Sequence, residues 1–528
     1  MLNAPLNSGG DAPPMAFPAT GSDPFYQRGL ALSASGRHHE AIENFERALA
    51  ATPDDTRVLF ALGNTARALG LDAPAEQFYR RVLAADPARI EALVNLANLL
   101  RARGQAEAAI ALLAQPLSQT PGQPELWLTM GSALRERGET EKAKQHFRAA
   151  LALRPDYAPA LGNLADLLAD DGAVEEALGL YDRAIRADGQ NPQLKLNRAV
   201  LHLLAGNLKQ GWQDYEARLK IAGKAPRYQH GLPRWSGAPL RRARLLVTAE
   251  QGVGDQIMFA SLIPQLSDRA QKDGGAVVLE CEPRLVALFR RSFPRVAVRP
   301  QQLESRGGVT HALYGWLKAA GGAGAAVEMG SLPKYLRKTP ADFPAPHTYL
   351  VADAQERAHW RHVLSHGGAA PYIGICWRSG KTNGLRGLQY APLEQWAEFL
   401  KTLPGTVVNA QYDAAEDELQ KLEQLSGRTI LRPQALDQKQ ELDRTAALFS
   451  ELDAVISAPT AVSWLAAAAG TAVFKVLYDT SWTSFGQDHE PLAPAAHCIR
   501  PRKAGDWPSA FAAAGSALEQ HFTAQINN

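Results

Sequence analysis

The sequence lacks the marks of several protein classes. Its 528 residues include only three cysteines, Cys281, Cys376 and Cys498, which lie far apart and form no Cys-x-x-Cys pair. Neither a disulfide framework nor a cysteine-based metal site is expected, and we predict buried, reduced thiols in a cytoplasmic protein. Lysine and arginine number 56 against 54 for aspartate and glutamate, so the formal charge is only +2. This balance supplies no basic surface, and we expect no nucleic-acid partner.

Long apolar runs are also missing. The most apolar late stretch, residues 461–478, is interrupted by Ser463, Gly470 and Lys475, which predicts a buried helix followed by a buried strand rather than a membrane span. Residues 1–23 are rich in Gly, Pro, Ala and Asn and lack the basic start and apolar core of a secretion signal. We therefore expect a flexible tail and no membrane span.

A period of 34 residues follows the tail. Three sets of residues share it, namely prolines, small residues and aromatics. The prolines are Pro53, Pro87, Pro121 and Pro155; the small residues are Gly29, Gly63, Ala97, Gly131 and Ala165; the aromatics are Phe45, Tyr79, Phe147 and Tyr181. This pattern is typical of tetratricopeptide repeats, in which paired helices approach closely at small residues and form a groove for protein partners. We predict five repeats and a capping unit over residues 24–225, with a local kink near Pro116.

From Arg244 the period changes to short β-branched runs that alternate with amphipathic stretches, which predicts a parallel α/β fold. The candidate strands are residues 245–248, 276–280, 296–299, 372–376, 407–410, 454–457 and 473–477. The candidate helices are residues 255–267, 393–402, 416–424, 443–452 and 461–469. A proline-rich stretch at 340–346 divides the set, so we expect two Rossmann-like lobes, residues 226–345 and 346–528, with a cleft between them.

The loop between the first strand and its helix contains Gly252, Gly254 and Asp255. Loops at the carboxyl ends of parallel strands bind ligands, and glycines let backbone amides approach them. A dinucleotide-binding oxidoreductase is disfavoured because Ile257 stands where a third glycine is needed and Asp255 would repel a pyrophosphate. Asp255 suits a base that deprotonates an acceptor hydroxyl. That Asp255 only caps the helix is an equal alternative.

A second loop follows the strand that ends at Cys376. Arg378, Ser379, Lys381 and Arg386 place cationic and hydroxyl groups where they could neutralise a nucleotide phosphate. The alternative is a set of solvated charges on a loop. Within an α/β fold, the phosphate-binding interpretation is favoured.

A third loop opens the helix predicted at 461–469. Ser457 and Thr460 lie at the helix start and predict a further anion site, although Thr460 could serve only as the helix cap. Residues 478–482, together with Gln487 and Asp488, are expected to extend the rim of the same cleft.

Two histidines complete the candidate site. His311 and His489 are candidate acid or base groups. A single histidine is more often a hydrogen-bonded structural residue, so both interpretations stay open.

Three motifs carry a resemblance to a known group. They are Gln-Gly-Trp-Gln-Asp-Tyr-Glu at 210–216, Arg-Trp-Ser-Gly at 234–237 and Glu-Gln-Gly-Val-Gly-Asp at 250–255. Together they resemble bacterial tetratricopeptide proteins with a carboxyl-terminal glycosyltransferase of the GT-B fold. The second half is similar to heptosyltransferases, and the layout is similar to eukaryotic O-linked N-acetylglucosamine transferase.

The resemblance implies roles for particular residues. In heptosyltransferases a Gly-Asp motif carries the proposed base, and this motif corresponds here to Gly254 and Asp255. A Ser-x-Lys loop in that group contacts the donor phosphates, and it corresponds here to Ser379 and Lys381. Their Asp-Thr-x-x-x-His motif keeps only Thr460 here, which disfavours an ADP-heptose donor. The local sequence instead looks like that of flagellin-modifying members, which transfer a nonulosonic acid such as pseudaminic acid from its CMP form to Ser or Thr. The resemblance implies a metal-independent reaction with no cofactor beyond the nucleotide-sugar donor.

Two alternatives stay open. One is a non-catalytic repeat scaffold or chaperone with a degenerate transferase domain, which the lost Asp and His motivate. The other is a transferase that builds lipopolysaccharide, which would need a lipid acceptor. The sequence does not decide between inverting and retaining chemistry.

Overall fold

A computed structural model describes residues 23–223, 225–250, 252–344, 348–380, 387, 389–413 and 416–526. Residues 1–22 of the predicted tail and the predicted phosphate ligands Lys381 and Arg386 lie outside these residues. The described chain forms two compact units, one ending at Leu194 and the other beginning at Lys195.

The first unit is a superhelix of paired antiparallel helices. Its helices are α1 Pro24–Ala34, α2 His38–Ala51, α3 Thr56–Ala68, α4 Asp72–Ala85, α5 Ile90–Ala102, α6 Ala106–Gln119, α7 Pro124–Glu136, α8 Thr140–Leu153, α9 Ala158–Asp170 and α10 Val174–Ala187. Small residues allow each pair to approach, because a Cβ at Gly63 would lie 2.6 Å from the ring of Tyr79. Helix α6 continues through Pro116 to Gln119, so the proline does not end it.

A glycine ends the first helix of each pair. Gly36, Gly70, Gly104, Gly138 and Gly172 stand 34 residues apart, with φ between 72° and 82°. This left-handed conformation costs glycine little. At the first of them, the Arg37 amide donates to Leu32 O and the Gly36 amide to Ser33 O, which satisfies carbonyls at the helix end.

The second unit begins inside a helix, in the region where the capping unit is expected. Helix α11 spans Pro192–Leu204 and α12 spans Leu208–Tyr215. Residues 196–215 contribute Leu203, Trp212 and Tyr215 to the same apolar core as the parallel strands that follow. The end of the expected repeat domain, at residue 225, stays a prediction, whereas the compact unit changes at 194/195.

Mostly parallel strands form the sheets in the rest of this unit. The strands are β1 Arg227–Tyr228, β2 Arg244–Thr248, β3 Ala276–Cys281, β4 Ala297–Pro300, β5 Leu303–Arg306, β6 Val309–Ala312, β7 Ala325–Glu328, β8 Tyr372–Cys376, β9 Thr406–Asn409, β10 Ile430–Leu431, β11 Ala454–Ser457, β12 Val473–Val476 and β13 Ala496–Ile499. A four-stranded parallel sheet has the order β4-β3-β2-β7, and a six-stranded parallel sheet has the order β10-β9-β8-β11-β12-β13. A small sheet, β1-β6-β5, pairs β1 with β6 in parallel and β6 with β5 antiparallel.

Helices connect these strands. They are α13 Val253–Ala260, α14 Ile263–Lys272, α15 Val286–Ser292, α16 Pro333–Leu336, α17 Ala354–Gly367, α18 Leu393–Leu400, α19 Glu416–Ser426, α20 Leu442–Phe449, α21 Ala461–Ala468 and α22 Trp507–Ile526. The seven predicted strands are confirmed with small shifts at their ends. The single helix predicted at 255–267 is wrong, because α13 ends at Ala260 and α14 starts at Ile263, with Pro264 in its first turn.

The three cysteines are buried and unpaired, as predicted. Burial raises the pKa of each thiol, and that of Cys376 reaches about 11. Buried thiols with raised pKa values are unreactive, so none of the three is a candidate nucleophile.

Candidate functional site

Two helix starts meet in the α/β unit. Strand β2 leads to α13, and β11 leads to α21, so each helix follows the carboxyl end of a parallel strand. A Cβ at Gly254 would lie 3.3 Å from the Cα of Ala461 and 3.5 Å from the ring of Trp464. Glycine therefore allows the close contact between the first turns of α13 and α21.

A cavity of about 230 Å³ opens at this contact. Its wall includes Gly254 and Asp255 from α13, Thr460 and Trp464 from the α21 segment, and Ser379 from the loop after β8. Helix amino termini carry partial positive charge and unpaired amides, so two of them beside one cavity favour an anionic ligand. Three of the sequence-predicted loops thus contribute to one cavity.

Asp255 combines two possible roles that sequence analysis left open. The Gly252 amide donates to Asp255 Oδ2 at 3.4 Å, so the carboxylate does cap α13. Asp255 nevertheless lines the cavity and is half-buried. Burial raises the pKa of its carboxyl group above the ordinary value, and the nearby Glu250 carboxylate adds to this shift. A raised pKa makes the carboxylate a stronger base, so capping and proton abstraction are compatible.

The side chain of Arg378, a predicted phosphate ligand, binds two carboxylates in this structure. Its guanidinium donates to Glu418 over 2.7–3.0 Å and to Asp413 at 3.3 Å. The hydrogen bond with Glu418, only partly offset by burial, raises its pKa. Its charge is therefore balanced by two carboxylates, whereas neighbouring Ser379 lines the cavity.

The hydroxyl groups before α21 occupy different depths. Thr460 is the N-cap, and its Oγ1 accepts from the Val462 amide at 3.3 Å while the residue lines the cavity. Ser457 is fully buried below it and donates to Ala458 O at 2.6 Å. Thr460 is thus placed to contact a ligand, and Ser457 supports the turn.

Gly252, whose amide binds Asp255, does not line this cavity, and neither do four other predicted residues, His311, Gln487, Asp488 and His489. His311 lies on β6, where its Nδ1 is 2.8 Å from Gln229 Nε2. Asp488 pairs with His489 at 2.9 Å, which lowers the pKa of the Asp488 carboxyl group. Gln487 is exposed, and its carbonyl accepts from Arg500. The structure does not place these four residues on the cavity wall that includes Asp255, and their predicted roles remain predictions.

Sequence analysis missed the cationic side of the wall. Lys475 lies within β12, lines the cavity and forms an ion pair with the fully buried Glu490. Its ammonium lies 4.7 Å from the ring of Trp464 and 3.4 Å from Ser481 Oγ. Its counter-ion lies 15 residues away, so no local motif signals the pair.

A second carboxylate, Asp479, lines the same cavity. Burial raises the pKa of its carboxyl group, and Arg500 partly opposes this shift. Sequence analysis placed residues 478–482 on the rim of the cleft, and these residues do line the cavity. Asp479 itself was not among the candidate site residues.

The motif at 210–216 packs behind this wall. The ring of Trp212 lies 6.3 Å from that of Trp482, which lines the cavity, and 6.5 Å from that of Phe259 in α13. The ring of Tyr215 lies 5.5 Å from Trp482. The motif is therefore a structural support for both sides of the cavity.

The repeats match known proteins. Tetratricopeptide repeat models match residues 26–90 and 128–192, and another matches residues 73–132. A thermophilic tetratricopeptide protein of Thermus thermophilus, TTC0263, is 28% identical over 34% of this chain and 97% of its own, with a TM-score of 0.31. YrrB, described as having an unusual peptide-binding site, is 20% identical over 32% of this chain and 88% of its own, with a TM-score of 0.26.

A further relative extends beyond the repeats. Protein FlbA of Caulobacter vibrioides is 34% identical over 377 residues, which cover 70% of this chain and 63% of that protein. The chain thus spans less than two thirds of the relative's length. Because the repeat models end at residue 192, an alignment of 377 residues must include part of the α/β unit.

Neither a metal-binding cluster nor a membrane-spanning helix is found among the described residues. No group of three or more His, Cys, Asp or Glu side chains there is arranged to hold a metal ion. Within the same part of the chain, no helix combines the length and the apolar character needed to cross a bilayer.

Proposed function

We propose that the chain is a protein O-glycosyltransferase of the GT-B type, with its two parallel sheets as the two lobes. One observation carries the proposal: two helix amino termini meet at a cavity that also holds the half-buried carboxyl group of Asp255. This arrangement suits a nucleotide-sugar donor, since it offers partial positive charge for phosphate and a base for an incoming hydroxyl.

The reaction follows from these placements. Asp255 takes the proton of a Ser or Thr hydroxyl on the acceptor protein, whose oxygen forms a bond to the anomeric carbon of the sugar. The bond between that carbon and the phosphate oxygen breaks, and the nucleotide leaves with the electron pair. Amides at the starts of α13 and α21, with Ser379 and Thr460, stabilise its negative charge. Lys381 and Arg386 stay predicted phosphate ligands.

The repeats supply the acceptor. Tetratricopeptide arrays bind protein partners, and tethering an acceptor raises its local concentration at a transferase. The resemblance to flagellin-modifying transferases, together with the similarity to FlbA beyond the repeats, supports flagellin as acceptor. The same resemblance supports a nonulosonic acid such as pseudaminic acid, carried as its CMP form, as donor.

Intact-mass analysis of flagellin tests this function. Flagellin from cells with the wild-type chain should be heavier than flagellin from deletion cells by whole sugar units. Asp255→Asn should abolish the added mass, because the amide cannot take the proton. Asp268→Asn, which changes a half-exposed carboxylate paired with Arg295, is the matched control and should leave the mass unchanged. Retention of the sugar by folded Asp255→Asn would contradict the assigned base.

A second candidate, a non-catalytic scaffold, is favoured by the neutralisation of Arg378 by Glu418 and Asp413. Calorimetry of the full chain with CMP, UDP, ADP and GDP separates the two functions. A transferase binds one of these nucleotides, whereas a scaffold with a degenerate domain binds none.

A further inference from the structure

The peptide that follows β2 is held on both sides by side chains. The Ala249 amide donates to Glu280 Oε2 at 3.1 Å. The Ala249 carbonyl accepts from Tyr228 Oη at 3.2 Å and from Gln301 Nε2 at 3.3 Å. Ala249 lies six residues before Asp255, so this clamp fixes where the chain leaves the sheet on its way to the cavity.

The rest of this segment has its own anchors. Glu250 is buried, and its carboxylate accepts from the Gly330 amide at 2.7 Å and pairs with Arg218. At the start of α13, Gln256 Oε1 accepts from the Glu282 amide at 2.8 Å. Asp255 is therefore flanked in sequence by anchored residues, while its own carboxylate accepts, among the described residues, one long hydrogen bond from the Gly252 amide.

Glu280 stands at the carboxyl end of β3, where its burial requires a reason. Val247 pairs with Leu279, so Thr248 and Glu280 are neighbours on one face of the parallel sheet. The Glu280 side chain is fully buried, and its Oε2 also accepts from Tyr314 Oη at 2.9 Å. Its Oε1 has no partner among the described residues. Burial raises the pKa of its carboxyl group to about 7.

A buried carboxyl group with one unsatisfied oxygen is unfavourable for stability. A leucine at this position would extend the apolar cluster of Leu246, Val278 and Tyr314 on the same face. The carboxylate is thus better explained by what it holds than by packing. Of its two contacts, the Ala249 amide belongs to the segment that carries Asp255.

We propose that Glu280 is a positioning residue for Asp255: it holds the Ala249 amide and thereby fixes the α13 segment against the cavity. Its role in catalysis rests on the proposed function, whereas its role in placing position 255 does not. Oε2 accepts the amide whether or not Oε1 carries a proton, so the clamp does not depend on ionisation.

Cysteine labelling measures the placement directly. Asp255→Cys puts a thiol on the cavity wall of a chain whose three native thiols are buried. Labelling by N-ethylmaleimide, followed by mass spectrometry of the full chain, gives the rate at that position. Adding Glu280→Leu should speed labelling about fivefold or more, because the released segment opens more often. Adding Glu280→Gln, which keeps an acceptor, should have a smaller effect.

Two variants serve as controls. Glu282→Leu changes a neighbouring carboxylate that binds Arg284, and it should leave the labelling rate unchanged. Tyr314→Phe removes the other donor to Glu280 and should have little effect. An unchanged rate in folded Glu280→Leu overturns the proposal, as does equal acceleration by Glu282→Leu. If Glu280→Leu does not fold, Glu280→Asp, which withdraws the acceptor by one methylene, replaces it and is judged the same way.

The catalytic consequence has a separate measurement. In the Asp255 background, Glu280→Leu should slow modification of flagellin about tenfold, because misplaced reacting groups lose rate, while affinity for CMP stays unchanged. If the wild-type chain does not modify flagellin, the proposed function is contradicted and the labelling result still stands. Normal modification together with unchanged labelling would contradict the positioning role alone.

Discussion

The two units differ in how far apart in the sequence the partners of their ion pairs lie. In the repeats, Arg101 binds Glu136 and Arg135 binds Asp166, at separations of 35 and 31 residues, about one repeat each. In the α/β unit, Arg234 binds Glu328 across 94 residues and Arg291 binds Asp443 across 152. A periodic sequence repeats its contacts at a fixed spacing, so the first kind follows from the period. The second kind depends on the topology of the sheets and has no sequence spacing to reveal it.

The largest expected effect tests buried pairing in the α/β unit. Arg218 is 1% exposed and binds Glu250, Ser331 and the carbonyl of Tyr215. Arg218→Met should lower the free energy of unfolding by about 3–5 kcal/mol, because it leaves Glu250 charged and buried without its partner. Urea denaturation followed by tryptophan fluorescence reports on this unit, since nine of the ten tryptophans lie beyond residue 195.

Arg37→Gln in the repeats is the matched control, and it is followed by circular dichroism at a helical wavelength as well, because the repeats contain only one tryptophan, Trp127. Arg37 and Glu40 are both well exposed and pair locally, so their loss should leave the denaturation midpoint unchanged. The double variant Arg218→Met with Glu250→Gln should recover part of the loss. If Arg218→Met were no more destabilising than Arg37→Gln, buried pairing would not distinguish the two units.

A pH experiment sharpens the same contrast at Glu280. Burial raises the pKa of this carboxyl group in the folded protein to about 7, although hydrogen bonds from Tyr314 and Ala249 lower it somewhat, against an ordinary value of 4.5. Between these values the folded state holds a proton that the unfolded state has released, so stability falls as pH rises. The full decrease is about 3 kcal/mol, reached above the folded pKa.

Glu280→Gln should remove this decrease. The measurement is the urea midpoint of wild type and variant at about pH 5 and about pH 8.5, on either side of the folded pKa. The variant can be less stable overall, since its amide places donors beside the unpartnered Oε1 position, but its loss between the two pH values should be smaller. An identical loss in both proteins would show that Glu280 does not titrate in this range.

Much of the fold could be predicted because burial leaves a local signature. Strands such as β8 and β11 are buried on both faces and stand out as β-branched runs. Strand β5 is exposed at all four residues and β1 has only two, so neither has an apolar pattern to detect. The helix-ending glycines at Gly36 and Gly70 did carry a detectable signal, the same 34-residue period, which the sequence analysis overlooked.

The candidate site divides in the same way. Asp255, Ser379 and Thr460 could be predicted because each follows the carboxyl end of a strand, where parallel sheets place their ligands. Lys475 could not, because it lies inside a buried strand and its partner Glu490 comes from another segment. Arg378 shows the converse limit, since its sequence position gave no sign of its ion pairs with Glu418 and Asp413.

The smallest expected effect tests whether a pair of packed residues in one repeat can be replaced by the pair at the equivalent positions of the next repeat. Gly63 faces Tyr79, whereas the next repeat has Ala97 and Leu113 at the equivalent positions. Gly63→Ala should destabilise the protein by about 1–3 kcal/mol, because its methyl group would lie 2.6 Å from the Tyr79 ring. Tyr79→Leu alone leaves a gap and removes the hydroxyl bond to Asn64. Together they reproduce the Ala97 and Leu113 pair, so the double variant should be more stable than the sum of the single losses predicts. Circular dichroism at a helical wavelength during urea denaturation measures each loss. If the two losses were strictly additive, the residue pair of one repeat could not replace the equivalent pair of its neighbour. The 34-residue period would then predict which positions are equivalent, but not how their side chains pack.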